Sequence, residues 1–221
     1  QDEAPARVKA ELEARERDVD EKTEESLALA LGQAVVPQRL LQMLRVAERT
    51  YQQALYMELP AAAVSVLFSG ALERALVEVL VQPFGAWLDA GGLRAQFLTD
   101  GVRERRGTRV EYFDYFFEVF DPALEARPPS MGEVVRVLER RDEPYLALFA
   151  RYLSERFGVA PTFWESLAGF IGWVKVTLRD PVAHGHLELD WESLRRFRQE
   201  LLFGFAGGTP GALPRLLQAA R

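Results

Sequence analysis

A guanidinium and an imidazole stand five positions apart in Arg179-Asp180-Pro181-Val182-Ala183-His184, and these two groups suffice for RNA cleavage without a metal ion. The ribose 2′-hydroxyl is the attacking group. An imidazole near its ordinary pKa takes or gives the proton, and a guanidinium neutralises the charge that grows on the phosphate oxygens. DNA lacks the hydroxyl and should resist. His184 and His186 are the only histidines, so acid-base chemistry near neutral pH is expected here.

The spacing poses a geometric problem. Residues five apart on a straight α-helix point about 140 degrees away from each other. Pro181 supplies no backbone donor and disfavours helix at Asp180, so the sequence predicts a break, with Asp180 capping a new turn, orienting the pair and letting Arg179 and His184 converge. Lys175, one turn before Arg179 beside the apolar stripe Ile171, Val174 and Leu178, extends the positive face, with the small Gly172 preceding it. Further arginines fall in runs: Arg103, Arg105, Arg106 and Arg109; Arg140 and Arg141; Arg195, Arg196 and Arg198. The first run reads as a track for an RNA backbone, the others as local basic patches. His184-Gly185-His186 with Glu188 and Asp190 hints at a metal site, but the chain has no further His or Cys to complete one, and no metal or other cofactor is expected.

The elements that must position these groups read as helices. Residues 4 to about 30 are rich in Ala, Glu and Arg and predict a solvated charged helix with a poor heptad register. After Gly32 and Pro37, Leu40, Leu41, Leu44, Ala47, Tyr51 and Leu55 recur at three and four residues, and a more apolar helix follows from Val64 to Leu80. The run Tyr112 to Phe120 reads as a core helix. Ser130 with Glu133, and Thr162 with Glu165, match the capping-box pattern and predict two helix starts, the second leading into the Arg179 motif. Trp191 to Phe203 is the last strong helix, and the Gly- and Pro-rich residues after it predict an irregular tail. No sheet pattern or repeat is present, so the fold class is all-α, a bundle.

Composition sets the outer limits. With 221 residues, 48% of them hydrophobic, the chain has enough apolar material for one substantial core. It has no cysteine, which excludes disulfides and thiolate chemistry and suits the cytoplasm. No apolar run reaches membrane-spanning length and no signal-peptide pattern opens the chain. The net charge of -6 is uneven: residues 1 to 26 hold ten acids and five bases, leaving the body at about -1.

The stretch Arg179 to His184 resembles the R-x4-H signature of HEPN domains (higher eukaryotes and prokaryotes nucleotide-binding), in which a polar residue usually follows the Arg. Ala47-Glu48 to Tyr51 and Ala71-Leu72-Glu73-Arg74-Ala75-Leu76 look like the first two helices of such domains. The resemblance, covering about 37 to 205, implies a HEPN-like helical bundle that dimerises so that two Arg/His pairs line one cleft. It implies a metal-independent endoribonuclease acting on RNA, often as a toxin or phage-defence effector. Arg179 and His184 would be catalytic and Glu73 would support Arg179. An antitoxin or an upstream regulatory domain is an expected partner, and no membrane is. One antitoxin-controlled subgroup carries a tyrosine two residues after the histidine; here that position is His186. The expected organisation is a charged helical extension at 1–32, a HEPN-like domain at 33–205 and an irregular tail at 206–221. The rival expectation is a catalytically silent dimerisation or RNA-binding module of the same shape, attached to a sensor domain.

Overall fold

A computed structural model describes residues 3–57, 59–105, 113–185 and 188–220. The side chains of Arg103 and Arg105, and all of Arg106, Arg109 and His186, lie outside what it describes. Every regular element among the described residues is helical, with two isolated bridges as the sole extended pairings. The chain runs α1 (Glu3–Leu31), α2 (Gln38–Ala54), α3 (Ala61–Ala75), a π-helical turn (Leu76–Val81), α4 (Gln82–Ala90), α5 (Arg94–Arg105) and α6 (Phe113–Glu118). It continues through α7 (Met131–Glu139), a short 3₁₀ turn (Pro144–Leu146), α8 (Ala147–Arg156) and α9 (Pro161–Val174). A second π-helical turn (Lys175–Arg179) leads directly into α10 (Asp180–Ala183), followed by α11 (Trp191–Leu202) and α12 (Ala212–Ala219). No helix among the described residues is long and apolar enough to cross a membrane.

The buried stripe of α2, Leu40, Leu44, Ala47, Tyr51 and Ala54, packs on α3. As its composition predicts, α3 is buried around much of its circumference, through Ala61, Val64, Phe68, Ala71, Leu72 and Ala75. Phe197 of α11 sets its ring edge-on to Phe68 at 6.1 Å, and Phe170 of α9 lies 6.0 Å from Phe197, so α2, α3, α9 and α11 share one core. Phe84 of α4 organises the other end, with ring centroids 5.1 Å from each of Phe97, Phe120 and Phe149. Phe116, Phe117, Phe120 and Trp164 are buried as expected of core residues, but Tyr115 in the same run is exposed on the outer side of α6, and Tyr112 and the Phe113 side chain lie outside the described residues. Gly101, which reads as punctuation in the sequence, sits inside α5; a Cβ there would overlap the Phe117 ring.

Two sequence expectations need correction. The capping box at Ser130 and Glu133 is present, but the one at Thr162 and Glu165 is not. Pro161 occupies the first helical position, which moves the start of α9 back to Ala160 and leaves Thr162 inside the helix, while Glu165 pairs with Arg141 at 3.1 Å. The tail beyond residue 205 is not irregular throughout, because α12 folds back with Leu213, Leu216 and Leu217 buried. Pro214 is tolerated at its third position because the first-turn N–H groups of a helix have no intrahelical acceptor.

Candidate functional site

The motif lies where α9 changes pitch. The N–H of Asp180 donates to the carbonyl of Lys175, five residues back, which defines the π-helical turn. The break expected at Asp180-Pro181 does not occur. Asp180 keeps helical angles (φ -64, ψ -43), and the chain stays helical through Ala183. A proline inside an α-helix removes a donor and presses its ring on the carbonyl four residues earlier; the wider turn just before Pro181 relieves both demands. The same solution occurs at the other π turn, where Gln82 N–H donates to Val77 O and Pro83 follows. Asp180 is therefore a mid-helix residue and not an N-cap.

The change of pitch brings together side chains that an α-helix would separate. Lys175 and Asp180, five apart, form an ion pair with Nζ 2.6 Å from Oδ2. Arg179 Nη1 is 3.6 Å from the other Asp180 carboxylate oxygen, and its Nη2 is 2.9 Å from Glu73 Oε1 on α3. Glu73, Arg179, Asp180 and Lys175 thus form a continuous chain of alternating charge that runs from α3 onto the π turn. All four side chains are between 30% and 37% exposed, so the pairs meet solvent and contribute little stability, on the order of 0–1 kcal/mol each.

His184 closes the helix. Its N–H donates to Asp180 O at 3.0 Å, and Gly185 then takes a φ of +85, a left-handed conformation that glycine adopts without steric cost. The imidazole is exposed and makes no hydrogen bond or ion pair among the described residues. With α-helical residues between them, Arg179 and His184 point about 140 degrees apart. They do not converge through a chain break, because there is none.

On its other side the π turn borders a groove of about 390 Å³ against α7. Gly132 and Gly172 form its floor, Val135 and Val176 line its walls, and Lys175, Arg136 and Arg140 supply its cations. Glu133, at the start of α7, is turned away into the capping box and a two-pronged pair with Arg127 at 2.7 and 2.9 Å.

Of the other basic runs, Arg141 and Arg198 serve the fold, while Arg140, Arg195 and Arg196 are exposed. Arg141 is buried and donates to Leu138 O and Glu165, while Arg198 is drawn inward onto the fully buried Glu48. Arg196 pairs with Glu200 at 2.7 Å and lies over the Trp173 ring. Sequence reading does not pair Arg136 of α7 with Arg140 at its C-cap; their one-turn spacing, opposite the stripe Val134, Val137 and Leu138, is the signal that does. Comparison with family profiles, with curated proteins and with solved structures yields no match to this chain.

Proposed function

We propose that this helical protein is a HEPN-like endoribonuclease that cleaves RNA without a metal ion, acting as a homodimer with Arg179 and His184 at a composite site. The carrying observation is the ion pair of Arg179 with Glu73, which aims a guanidinium from a widened helical turn, one element away from an exposed imidazole at the helix end. Within one protomer the two groups diverge, so a second copy is the natural source of the complementary His184. The ribose 2′-oxygen bonds to phosphorus as one imidazole removes its proton. The bond from phosphorus to the 5′-oxygen breaks, a protonated imidazole supplies the proton to that oxygen, and a 2′,3′-cyclic phosphate is left. Arg179 stabilises the charge on the non-bridging oxygens, and Glu73 and Asp180 hold its plane. A toxin or phage-defence role in the cytoplasm, under an antitoxin or an upstream domain, fits this activity.

The test is incubation of the purified protein with single-stranded RNA in EDTA. Cleavage should survive chelation, leave cyclic phosphate ends, and fall by a factor of about 100 or more in His184→Ala, the range for loss of a general acid or base. Arg179→Ala should be similarly impaired, and DNA of the same sequence should stay intact. Undiminished cleavage by both variants would sink the assignment. One observation favours the silent helical module instead: Arg179 and Lys175 already have their charge met within the protomer, by Glu73 and Asp180. On that reading purified protein cleaves nothing, and Arg179→Ala alters only the oligomeric state.

A further inference from the structure

The first π turn, Leu76–Val81, borders a cleft of about 250 Å³ that is closed on its other sides by the end of α8 and the last turn of α12. Val79, Pro83, Phe157 and Leu217 make it mainly apolar, and Glu78, Tyr152 and Arg156 bring polar groups to it. We propose that this cleft binds a small apolar molecule carrying a carboxylate and an adjacent hydrogen-bond donor, of which an apolar amino acid is the simplest form. Arg156 holds the carboxylate and Glu78 accepts from the donor. Neither Arg179 nor His184 lines the cleft, so it stands apart from the nuclease reading.

Both polar ends are left open. Arg74 sends Nε and Nη2 to the same oxygen of Glu78, Oε1, with Nε at 2.6 Å. Glu78 Oε2 is buried and has no hydrogen-bond partner among the described residues, although a guanidinium frequently grips both oxygens of a carboxylate. The end torsion of a glutamate is soft, so this oxygen turns toward a donor in the cleft at little cost. Arg156 is exposed and has no ion pair or hydrogen bond among the described residues. A carboxylate and a donor on one small ligand meet both needs, through charge-assisted hydrogen bonds. The apolar body has its own contacts. Val35 lines the cleft yet is 88% exposed, the highest value among the large apolar side chains described, and a seated ligand removes it from water. The volume suits a ligand of amino-acid size, being below the range of about 300–1,000 Å³ that holds drug-sized molecules. Glu78 itself sits within a π-helical insertion, a distortion frequent at functional sites.

The experiment titrates the full chain by isothermal calorimetry with L-leucine and L-phenylalanine, beside isocaproate, which lacks the donor, and L-leucinamide, which lacks the carboxylate. One of the amino acids should saturate a single site, and the truncated analogues should bind about tenfold more weakly or worse, the scale of one hydrogen bond to a charged group. Arg156→Gln should weaken amino-acid binding by about tenfold or more without weakening leucinamide, and Glu78→Gln should weaken the amino acid while leaving isocaproate unchanged. Circular dichroism checks the fold of each variant; Arg156 is exposed, so its substitution tests the site even where Glu78→Gln unfolds. Binding of the hydroxy-acid analogue of leucine in place of leucine would identify the donor as a hydroxyl and support the cleft. No saturable binding by the amino acids or the hydroxy acid overturns the proposal, as does amino-acid binding untouched by Arg156→Gln.

Discussion

At the scale of single residues, a fully buried carboxylate is paired away from the candidate site. Glu48 of α2 is fully buried, and Arg198 of α11 reaches it with Nε at 2.7 Å from Oε2 and Nη2 at 2.5 Å from Oε1, while Nη2 also donates to Ser26 Oγ of α1 at 2.6 Å. Gln52 adds a further donor to Glu48 at 2.8 Å, and the guanidinium lies over the Tyr51 and Phe203 rings. One arginine therefore ties three helices together. Removing a single partner from a buried pair strands a charge, so Arg198→Met should cost about 3–5 kcal/mol in urea unfolding. The double variant with Glu48→Met should recover part of that loss, since neither charge is then left alone; a double variant as unstable as the single one would contradict this account. In the sequence, Arg198 stands in a run of three arginines that suggests a basic surface. Its place four residues after Leu194 and next to Phe197 marks it as bordering the buried face, but nothing local identifies a partner 150 positions away. Arg179 is the opposite case: its type and spacing are legible, and the family resemblance implies the acid Glu73 that stands 2.9 Å from it.

At the scale of elements, punctuation was easy to locate and harder to interpret. Ser130 and Glu133 read as a helix start and are one. Thr162 and Glu165 carry the same pattern, yet Pro161 starts the helix earlier, so the pattern falls within the first turns. Proline misleads most at Pro181, where, as at Pro83, it follows a widened turn instead of ending a helix; an inserted residue shows no signature in hydrophobic periodicity, because buried residues resume on the far side, Leu178 after Val174. The start of α7 offers a pH test. Burial pushes the Glu133 carboxyl upward, but hydrogen bonds from Arg127 and Ser130 outweigh it and hold the group below its ordinary value of 4.5. A carboxyl lowered in the folded state stabilises the protein above its unfolded pKa and loses that contribution as pH falls through the folded value. Urea midpoints should therefore decline more steeply below about pH 4.5 in the parent than in Glu133→Gln. Parallel pH profiles for the two proteins would show that the capping box does not carry this linkage.

At the scale of the whole molecule, the charged N-terminal helix is two things in one element. From residue 6 to 17 every position of α1 is exposed, and its ion pairs, Arg7 with Glu11 and Lys9 with Glu13, lie along the helix itself. From Val19 onward it is docked. Val19, Leu27, Ala30 and Leu31 are buried, Asp20 and Glu24 pair with Arg49 and Arg45 of α2, and Ser26 receives Arg198. An average over the element hides this division, which is why composition suggests a charged helical extension or linker at 1–32. The spacing of Val19, Thr23, Leu27 and Ala30 carries the docking signal, one buried position each turn, with the Thr23 hydroxyl satisfied by the Val19 carbonyl. Deleting residues 1 to 15 should thus shift unfolding free energy by no more than about 0.5 kcal/mol, the scale of surface changes, while lowering far-ultraviolet helicity. Leu27→Ala in the full chain should cost about 2–5 kcal/mol, the range for emptying a buried leucine site. Tryptophan fluorescence in urea reads both through Trp164, which is buried in the same core cluster. If the deletion destabilises as much as Leu27→Ala, the exposed half must support the docked half through helix continuity alone. If neither changes the midpoint, α1 is indeed an appendage, and the core then begins at α2.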